Sequence, residues 1–356
     1  MLLQSAFVLL SSLALVASGY NCNGTTTIDA PSDLSKIVYF PEGWTESQDI
    51  PKVDPNMWCT VNLNIPQGVY ANVTFYKHFE SREVAYILYP SKYLKMLAND
   101  DQTPYMFTAP LASINIANML NGSAIAFKIQ YMKYPKMEKN VINIYKGKAP
   151  VVVNANNKLT TFIGGPNSMI SLAAFSLQNP SMNYILRQSA IFSGDSVNGQ
   201  FIGTLEQVLT RKYQLTSYRN KMSVYTFGLS ETIDYPLFLA QDWEDSEPIF
   251  YYQGDNCPST GDCKVNITGL GPDTYAVTYF DGPEIIKDFN NFADGMIFSA
   301  YENTVSNTTL VATLTIDDYK QKLPIQVNGV MKYYVLHGVG TTEMVLTRDT
   351  SRPSRH

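Results

Sequence analysis

Histidine is scarce in this chain: its 356 residues include three, His78, His337 and His356. Zinc proteases carry a His-Glu-x-x-His helix, and serine hydrolases use a histidine that takes the proton of the nucleophile. The sequence has neither a His-Glu-x-x-His motif nor a phosphate-binding Gly-rich loop ending in Lys-Ser or Lys-Thr. It therefore predicts no catalytic residues, no metal site and no cofactor.

Long runs of one residue character are also missing. Lysine and arginine are dispersed in a chain of net charge −5, which argues against a nucleic-acid surface. After residue 19, no stretch reaches the roughly 18–20 apolar residues that a membrane-spanning helix needs. The polar, basic residues 347–356 do not form a lipid-anchor signal. The sequence therefore predicts no nucleic-acid partner and no transmembrane segment.

The first residues, MLLQSAFVLLSSLALVASGY, carry no charged side chain from Leu2 to Gly19. This apolar run is short and interrupted by serines, and Ala17-Ser18-Gly19 supplies small residues for cleavage. The pattern predicts a signal peptide at 1–19, cleaved after Gly19, and an extracellular, secreted protein. A lysosome-like lumen and association with a membrane from the outside are the alternatives.

Cysteine use agrees with that compartment. An even number of cysteines in an oxidising compartment suggests disulfides. The short spacing favours Cys257–Cys263, and Cys22–Cys59 follows by elimination. No histidine stands near either pair at ligand spacing, which weakens a metal interpretation. Five Asn-x-Ser/Thr sequons predict N-glycosylation; they start at Asn23, Asn72, Asn121, Asn266 and Asn307.

Most of the chain alternates apolar and polar residues, with many Val, Ile, Thr, Tyr and Phe between Gly, Pro, Asn and Asp. Residues 61–79 predict two strands around a Pro66-Gln67-Gly68 turn, and 122–134 predict one long strand. Short helices are predicted at 92–100 and 283–292. About 337 residues after the signal peptide exceed one compact core, so two or three domains are expected.

A weak internal repeat accompanies these strands. A strand-and-turn block recurs at 84–91, 189–196 and 276–283, and a late strand follows each block, at 123–131, 221–229 and 309–316. The first two copies match better than the third.

The order of these blocks resembles that of the CUB domain, an antiparallel β-sandwich of secreted proteins. Tyr279–Pro283 is the segment that resembles it most clearly. The N-terminal third resembles the nematode CUB-like secreted proteins more closely, through Cys22 and the segments 37–44, 58–75 and 107–131. The resemblance implies a mainly β chain of tandem antiparallel β-sandwiches of the CUB-like, jelly-roll type. It implies a role in innate immunity, host defence or stress response, and it brings no catalytic residues. Calcium binding is unsupported, because Asp281 alone matches an acidic position.

The expected division is therefore a signal peptide at 1–19 and three modules. The first two are CUB-like sandwiches at 20–146 and 147–240. The third, at 241–356, is a β module with a polar C-terminal tail. A CUB-like fold is one alternative for this module. A non-catalytic protein built this way binds a glycan, a microbial surface or an extracellular protein partner. An extracellular structural protein is an alternative.

Gly194-Asp195-Ser196 is the stretch that most resembles a serine hydrolase site. Hydrolases with this motif carry an aspartate three residues before the histidine, whereas the residue three positions before His337 is Tyr334. No Gly-x-Ser-x-Gly elbow occurs either. Gly and Asp suit a turn, because Gly permits positive φ and Asp bonds nearby amides. The sequence favours a turn. The alternative is a hydrolase of sugars or esters, in which Ser196 meets His337 or two carboxylates face a cleft.

Aromatic side chains supply the candidate binding residues. Trp58 adjoins Cys59 at a strand start, which favours packing in the core against the disulfide. Segment 248–263 places exposed-looking aromatics beside a disulfide-closed loop, and loops on rigid scaffolds often carry recognition. The predicted binding residues are Trp243, Tyr251 and Tyr252, with Trp44 as a further candidate.

Overall fold

A computed structural model describes residues 20, 22–55, 57–80, 85–98, 101, 103–117, 120–155 and 158–349. The predicted signal peptide, residues 1–19, lies outside the described residues, and so does His356. Strands dominate the described chain and most pair antiparallel, which confirms the predicted fold class.

Nine strands, β1–β9, form the first unit. They are β1 Gly24–Asp29, β2 Ile37–Phe40, β3 Trp58–Asn64, β4 Val69–His78, β5 Ala85–Leu88, β6 Leu94–Met96, β7 Tyr105–Thr108, β8 Leu111–Ala117 and β9 Ala124–Lys133. One sheet has the order β1-β3-β8-β5-β6 and the other β2-β9-β4-β7. The β1–β3 pair is parallel and the others are antiparallel. Alternation along β3 buries Cys59, Val61 and Leu63 in the core between the sheets.

The middle unit also has nine strands. They are β10 Lys139–Asn143, β11 Val151–Asn154, β12 Leu159–Ile163, β13 Ile170–Ser176, β14 Ala190–Ser193, β15 Gln200–Gly203, β16 Leu215–Thr216, β17 Lys221–Tyr225 and β18 Pro236–Asp242. Their orders are β10-β12-β17-β14-β15 and β11-β18-β13-β16, with β10 and β12 parallel. Each strand of the middle unit therefore occupies the same position in its sheet as the strand of the first unit whose number is lower by nine.

This topology explains how far the sequence repeat holds. The blocks at 84–91 and 189–196 contain β5 and β14, which occupy equivalent positions. The late strands do not correspond, because 123–131 lies in β9 whereas 221–229 begins with β17, the counterpart of β8. The alignment is therefore wrong by one strand in its second half, where short β segments of similar composition cannot be told apart.

The third region contains seven strands. They are β19 Tyr251–Asp255, β20 Asp262–Tyr279, β21 Glu284–Asn290, β22 Ile297–Glu302, β23 Leu310–Leu314, β24 Ile325–Val327 and β25 Met331–Arg348. Its strand order is β19-β20-β25-β21-β24, with β22 also paired to β25 and β23 paired to β22, and it differs from that of the nine-strand units. A parallel pairing of β13 with β19 joins it to the middle unit.

Helices are few and short in the described chain: α1 Leu205–Arg211, α2 Trp243–Ser246, α3 Tyr319–Lys322, and 3-10 helices at Pro180–Arg187 and Leu229–Glu231. The predicted helices at 92–100 and 283–292 are wrong, because these segments contain β6 and β21. In β21 a register shift between Ile286 and Asp288 puts Ile286 and Phe289 both in the core. A bulged strand thus imitates the three-residue spacing of a helix.

The module boundaries stay a prediction. Strand β10 pairs with β12 and so belongs to the middle unit, although it ends before the predicted boundary at 146. Strand β18 ends at Asp242, close to the predicted boundary at 240.

A buried interface joins the first and middle units. Arg187, which is 0% exposed, makes two hydrogen bonds to the Asp101 carboxylate, at 2.6 and 2.7 Å. Its guanidinium carbon lies 3.8 Å from the centre of the Tyr105 ring. Nearby, Lys95 Nζ lies 2.5 Å from the Glu206 carboxylate. The interface thus fixes the 3-10 helix at Pro180–Arg187 and helix α1 against the first unit.

Candidate functional site

Both predicted disulfides are present. Cys22–Cys59 links the segment just before β1 to β3, and Cys257–Cys263 closes the loop between β19 and β20. Within the part of the chain that the structure describes, no cluster of three or more His, Cys, Asp or Glu side chains could hold a metal ion. In the same part, no helix has the length and apolar character to cross a membrane.

Gly194-Asp195-Ser196 forms the turn between β14 and β15. Gly194 has a φ of +139°, a conformation that favours glycine. The Asp195 carboxylate lies 2.8 Å from Lys221 Nζ, and the Ser196 carbonyl accepts a hydrogen bond from the Gly199 N–H at 3.0 Å. Each of the three residues therefore serves the turn through its backbone or through a surface ion pair.

The two described histidines have acidic neighbours of their own. His78 Nε2 lies 3.3 Å from Glu80, and His337 Nδ1 lies 3.1 Å from Asp273. Both imidazoles are exposed, and among the described residues neither bonds to Ser196. The structure thus does not bring the serine and a base together.

Two of the three tryptophans differ in exposure. Trp44 is 6% exposed and its Nε1 donates a hydrogen bond to the Asp49 carbonyl at 3.1 Å. Trp58 is 57% exposed, so the predicted core position is wrong. Successive side chains of a strand point to opposite faces, and Cys59 takes the inward one. The third, Trp243, is half-buried at the start of α2.

The same alternation separates the two candidate tyrosines. Tyr252 is 1% exposed in a buried cluster, so the prediction that it offers a binding surface is wrong. Tyr251, half-exposed, meets Tyr213 and Phe250, with ring centres 5.2 Å and 4.9 Å away. We call Tyr213, Phe250 and Tyr251 the aromatic patch. Tyr213, which the sequence did not indicate, is its most exposed member at 48%.

A polar cavity of about 310 Å³ lies where the middle unit meets the third region. We call it the junction pocket; its lining includes Ser176, Asn183, Tyr184, Glu206, Lys212, Gln253, Asp255, Lys264 and Asn266. These residues come from β13, the 3-10 helix at Pro180–Arg187, α1, β19 and β20. The pocket therefore depends on the junction and on the connections of the middle unit.

Burial opposes the charges inside this pocket. Burial raises the pKa of Asp255, although Gln253 Nε2 at 2.8 Å and Ser176 Oγ at 3.0 Å donate hydrogen bonds to its carboxylate. It also raises the pKa of Glu206 against the attraction of Lys95, and it lowers the pKa of Lys212. All three shifts favour the neutral form of the group. Carboxyl oxygens accept hydrogen bonds and amines donate them, and the hydroxyls of a polar ligand make both kinds of bond.

The patch and the pocket share one face of β19. Tyr251, Gln253 and Asp255 alternate along β19 with Tyr252 and Gly254, and the four-residue step from Tyr251 to Asp255 spans about 13 Å. Gln253 between them is buried, whereas Tyr251 and Asp255 are partly exposed. Sequence reasoning missed Asp255, Glu206 and Lys212, since single charged residues without a motif carry no signal. The alternation Tyr251, Gln253, Asp255 could have pointed to the face.

Three other cavities are described, and one of them, of about 450 Å³, is lined by Tyr70, Tyr225 and Phe227 among others. One of about 700 Å³ lies between the first and middle units, lined by Leu88, Leu111 and residues 198–201 among others. One of about 610 Å³ adjoins the Gly194-Asp195-Ser196 turn. The lining groups whose pKa burial raises in these cavities are tyrosines, Tyr89 in the cavity of about 700 Å³ and Tyr70 and Tyr225 in that of about 450 Å³. In the junction pocket, burial shifts the pKa of two carboxyls and an amine. The junction pocket therefore remains the stronger candidate for recognition.

The predicted glycosylation sites differ in accessibility. Four are exposed: Asn23, Asn121, Asn266 and Asn307. The fifth, Asn72, is half-buried in β4, between β7 and β9, and its Oδ1 is buried. Asn266 also lines the junction pocket.

Comparison with solved structures gives matches of low similarity. Tripeptidyl peptidase 2 matches 92% of this chain at 7% identity with a TM-score of 0.25, and the chain covers 24% of it. The CUB1-EGF-CUB2 region of human MASP-1/3 matches 58% of this chain at 10% identity with a TM-score of 0.21, and 97% of that region is covered. The same region of rat MASP-1 matches 61%, at 9% identity and a TM-score of 0.21, and is covered completely at 100%. Scores this low carry no argument.

No curated protein matches the chain. Two protein families match it side by side. Residues 140–227 match a domain of unknown function, and they hold most of the middle unit. Residues 17–135 match the CUB-like domain, and they hold all nine strands of the first unit.

Proposed function

We propose that this protein is a secreted, non-catalytic binding protein that recognises a glycan at the junction pocket and the aromatic patch. The CUB-like match of residues 17–135 supports a binding module rather than an enzyme. The two disulfides are consistent with an extracellular location. Attachment of the glycan to a microbial surface, and a role in innate immunity or stress response, extend this proposal along the resemblance to nematode CUB-like proteins.

One observation carries the choice of a glycan. Groups of two kinds lie on the same face of β19: half-exposed aromatic rings at Tyr251, and the hydrogen-bonding Asp255 carboxyl with its partners Gln253 and Ser176. A sugar ring offers C–H groups to an aromatic face and hydroxyls to polar side chains. Pockets that fix small ligands combine these features.

The test is a glycan-array screen of the secreted protein, followed by affinity measurement on the best ligand. Tyr251→Ala and Asp255→Asn should each weaken binding at least about tenfold, which corresponds to about 1.4 kcal/mol. Tyr145→Ala is the matched control, because this tyrosine is 63% exposed and belongs neither to the aromatic patch nor to the lining of the junction pocket. An array without any bound glycan contradicts the proposal, and so does equal loss in all three variants. In the first case, an extracellular protein partner or a structural role becomes the better interpretation.

A hydrolase of sugars is the second candidate, and a different observation favours it. Glu206 and Asp255 line one pocket, and burial raises the pKa of both. Glycosidases use two carboxyl groups that face one cleft, and the acid of the pair has a raised pKa. Hydrolysis of aryl glycosides that is lost in both Glu206→Gln and Asp255→Asn would support this activity. Activity that persists in both variants would place it outside this pair of carboxyls.

A further inference from the structure

Trp58 is the most exposed tryptophan in the described chain, at 57%, and it stands next to a buried disulfide. Single exposed apolar residues are common on protein surfaces. A tryptophan ring, however, carries the largest apolar area of any side chain, and its burial contributes strongly to interfaces. The question is what covers it in the secreted protein.

The parallel pairing of β1 with β3 places Asn23 beside Trp58. Gly24 pairs with Cys59, so the preceding residues, Asn23 and Trp58, are adjacent across the strands. The backbone N–H of Trp58 donates a hydrogen bond to Asn23 Oδ1 at 3.5 Å. Cys59 faces the core, so Trp58 faces outward, and Asn23 is exposed beside it. Adjacent side chains on one face lie about 5 Å apart at Cβ.

The strand partner of Trp58 on its other side is small. Trp58 pairs with Ala117 of β8, whose side chain is too small to cover an indole. Among the described strand partners, the ring is thus flanked by a methyl group on one side and by a sequon asparagine, Asn23-Gly24-Thr25, on the other. Neither of these two partners is large enough to keep a group attached to Asn23 away from the ring.

We infer that an N-linked glycan on Asn23 packs its first N-acetylglucosamine ring on the indole of Trp58. The C–H groups of one sugar face are weakly positive and match the negative face of the indole. The covalent step is that of the secretory pathway. Asn23 Nδ2 bonds to C1 of the sugar and loses a proton, and the pyrophosphate of the lipid-linked donor leaves with the bonding electrons.

Other sequons in paired strands lack such a neighbour. Asn72 lies between Gln130 and Met106, and Asn266 lies opposite Glu343. The inference therefore applies to Asn23 on the strength of its own pairing. It needs secretion, as the proposed function does, but it needs no ligand in the junction pocket.

The experiment compares Thr25→Ser, which keeps the sequon, with Thr25→Ala, which removes it and leaves Asn23 in place. Thr25 is exposed, so both variants should fold. Peptide mass mapping should find a glycan on Asn23 in the first variant alone. Acrylamide quenching of tryptophan fluorescence should be stronger in Thr25→Ala, and this difference should vanish when Trp58→Phe is added to both variants.

Enzymatic trimming gives a second measurement on the unaltered protein. Cleavage that leaves one N-acetylglucosamine on Asn23 should keep Trp58 protected from acrylamide, and complete removal of the glycan should expose it. The Asn307→Gln variant, which loses a glycan from an exposed loop, should behave as the unaltered protein does. An unmodified Asn23 in the secreted protein overturns the inference. Equal quenching of the Thr25→Ser and Thr25→Ala variants overturns it as well. Either failure leaves a glycan-array result for the junction pocket intact.

Discussion

The first and middle units have the same strand order in both of their sheets, yet different contacts hold their opening strands. Strand β1 is tied to β3 by Cys22–Cys59. Its counterpart β10 has no disulfide; it follows β9 after residues 134–138, and the Leu159 N–H continues its pairing to the Glu138 carbonyl at 3.1 Å. A parallel pair at the edge of a sheet can thus be secured by a covalent bond or by a short connection to a folded neighbour.

The connections differ more than the strands do. Between β13 and β14 the middle unit has a 3-10 helix that carries Arg187, and between β15 and β16 it has α1, which carries Glu206. Both connections face the first unit on one side and the junction pocket on the other. The repeated strands therefore provide a scaffold, and the unequal connections provide the interface and the candidate site.

The largest effect is expected where the units meet. Arg187→Ala leaves the Asp101 carboxylate partly buried without its cation, and loss of one member of such a pair costs about 3–5 kcal/mol. Urea unfolding of the secreted protein measures this change. Lys146→Ala, which breaks an exposed pair with Glu244, is the control and should change little. A similar small loss in both variants would mean that the units do not depend on this contact.

The disulfide that distinguishes the first unit should come next. The Cys22→Ala/Cys59→Ala double variant opens a loop of sequence separation 37 and should lose about 3–4 kcal/mol in the chain-entropy model. The Cys257→Ala/Cys263→Ala variant opens a separation of 6 and should lose about 2 kcal/mol.

Chemical unfolding and secretion yield measure both disulfide variants. If removal of Cys22–Cys59 changes neither quantity, β1 is held by its pairing with β3 alone, as β10 is held to β12. The difference between the units would then have no energetic consequence.

Strand content, the disulfides and the repeat of the first two units were within reach of the sequence, because alternation and cysteine spacing are local signals. The face that a side chain occupies was not always within reach. Trp58 next to Cys59, and Tyr251 next to Tyr252, look equivalent in sequence until the register fixes which member is buried.

The candidate site depends on long-range contacts, so the sequence indicated its residues even less than it indicated the buried faces of the strands. Glu206 and Asp255 lie 49 positions apart in a chain without a motif around either of them, and the β13–β19 pairing brings them to one pocket. The helix predicted at 283–292 failed for a local reason, since the bulge in β21 reproduces helical spacing. Pairing partners, rather than residue preferences, decided these points.

A pH series should separate the two sides of the interface by the sign of their effects. Burial raises the pKa of Glu206 from its ordinary value of 4.5, so the folded state binds its proton more tightly than the unfolded state does. The stability that this group contributes is complete below pH 4.5 and is lost as the pH rises through its raised pKa.

Asp101 should behave in the opposite way. Burial raises its pKa, but hydrogen bonds and charge from Arg187 outweigh burial, so its pKa falls below the ordinary 3.8. Its stabilisation is present above pH 3.8 and is lost as the pH falls through the lowered pKa.

Unfolding free energies of Glu206→Gln and Asp101→Asn, measured across pH with the unaltered protein, test both signs. The groups facing Glu206 here are Lys95, Arg187 and Asp101, so the difference curves should be compared at low and high salt. Difference curves with the same slope for both variants would contradict the assignment of opposite pKa shifts across the interface.

The smallest effect is expected at the Gly194-Asp195-Ser196 turn of the middle unit. Asp195→Asn removes an exposed ion pair with Lys221, and Ser196→Ala removes a hydroxyl that the turn does not use, so the unfolding midpoint should barely move in either variant. Gly199→Ala is the contrasting change, because its Cβ would lie 2.8 Å from the Ser193 carbonyl oxygen and should cost about 1–3 kcal/mol. A turn that tolerates Gly199→Ala but fails with Ser196→Ala would depend on the serine hydroxyl. The conformation of the turn would then not be determined by its backbone alone.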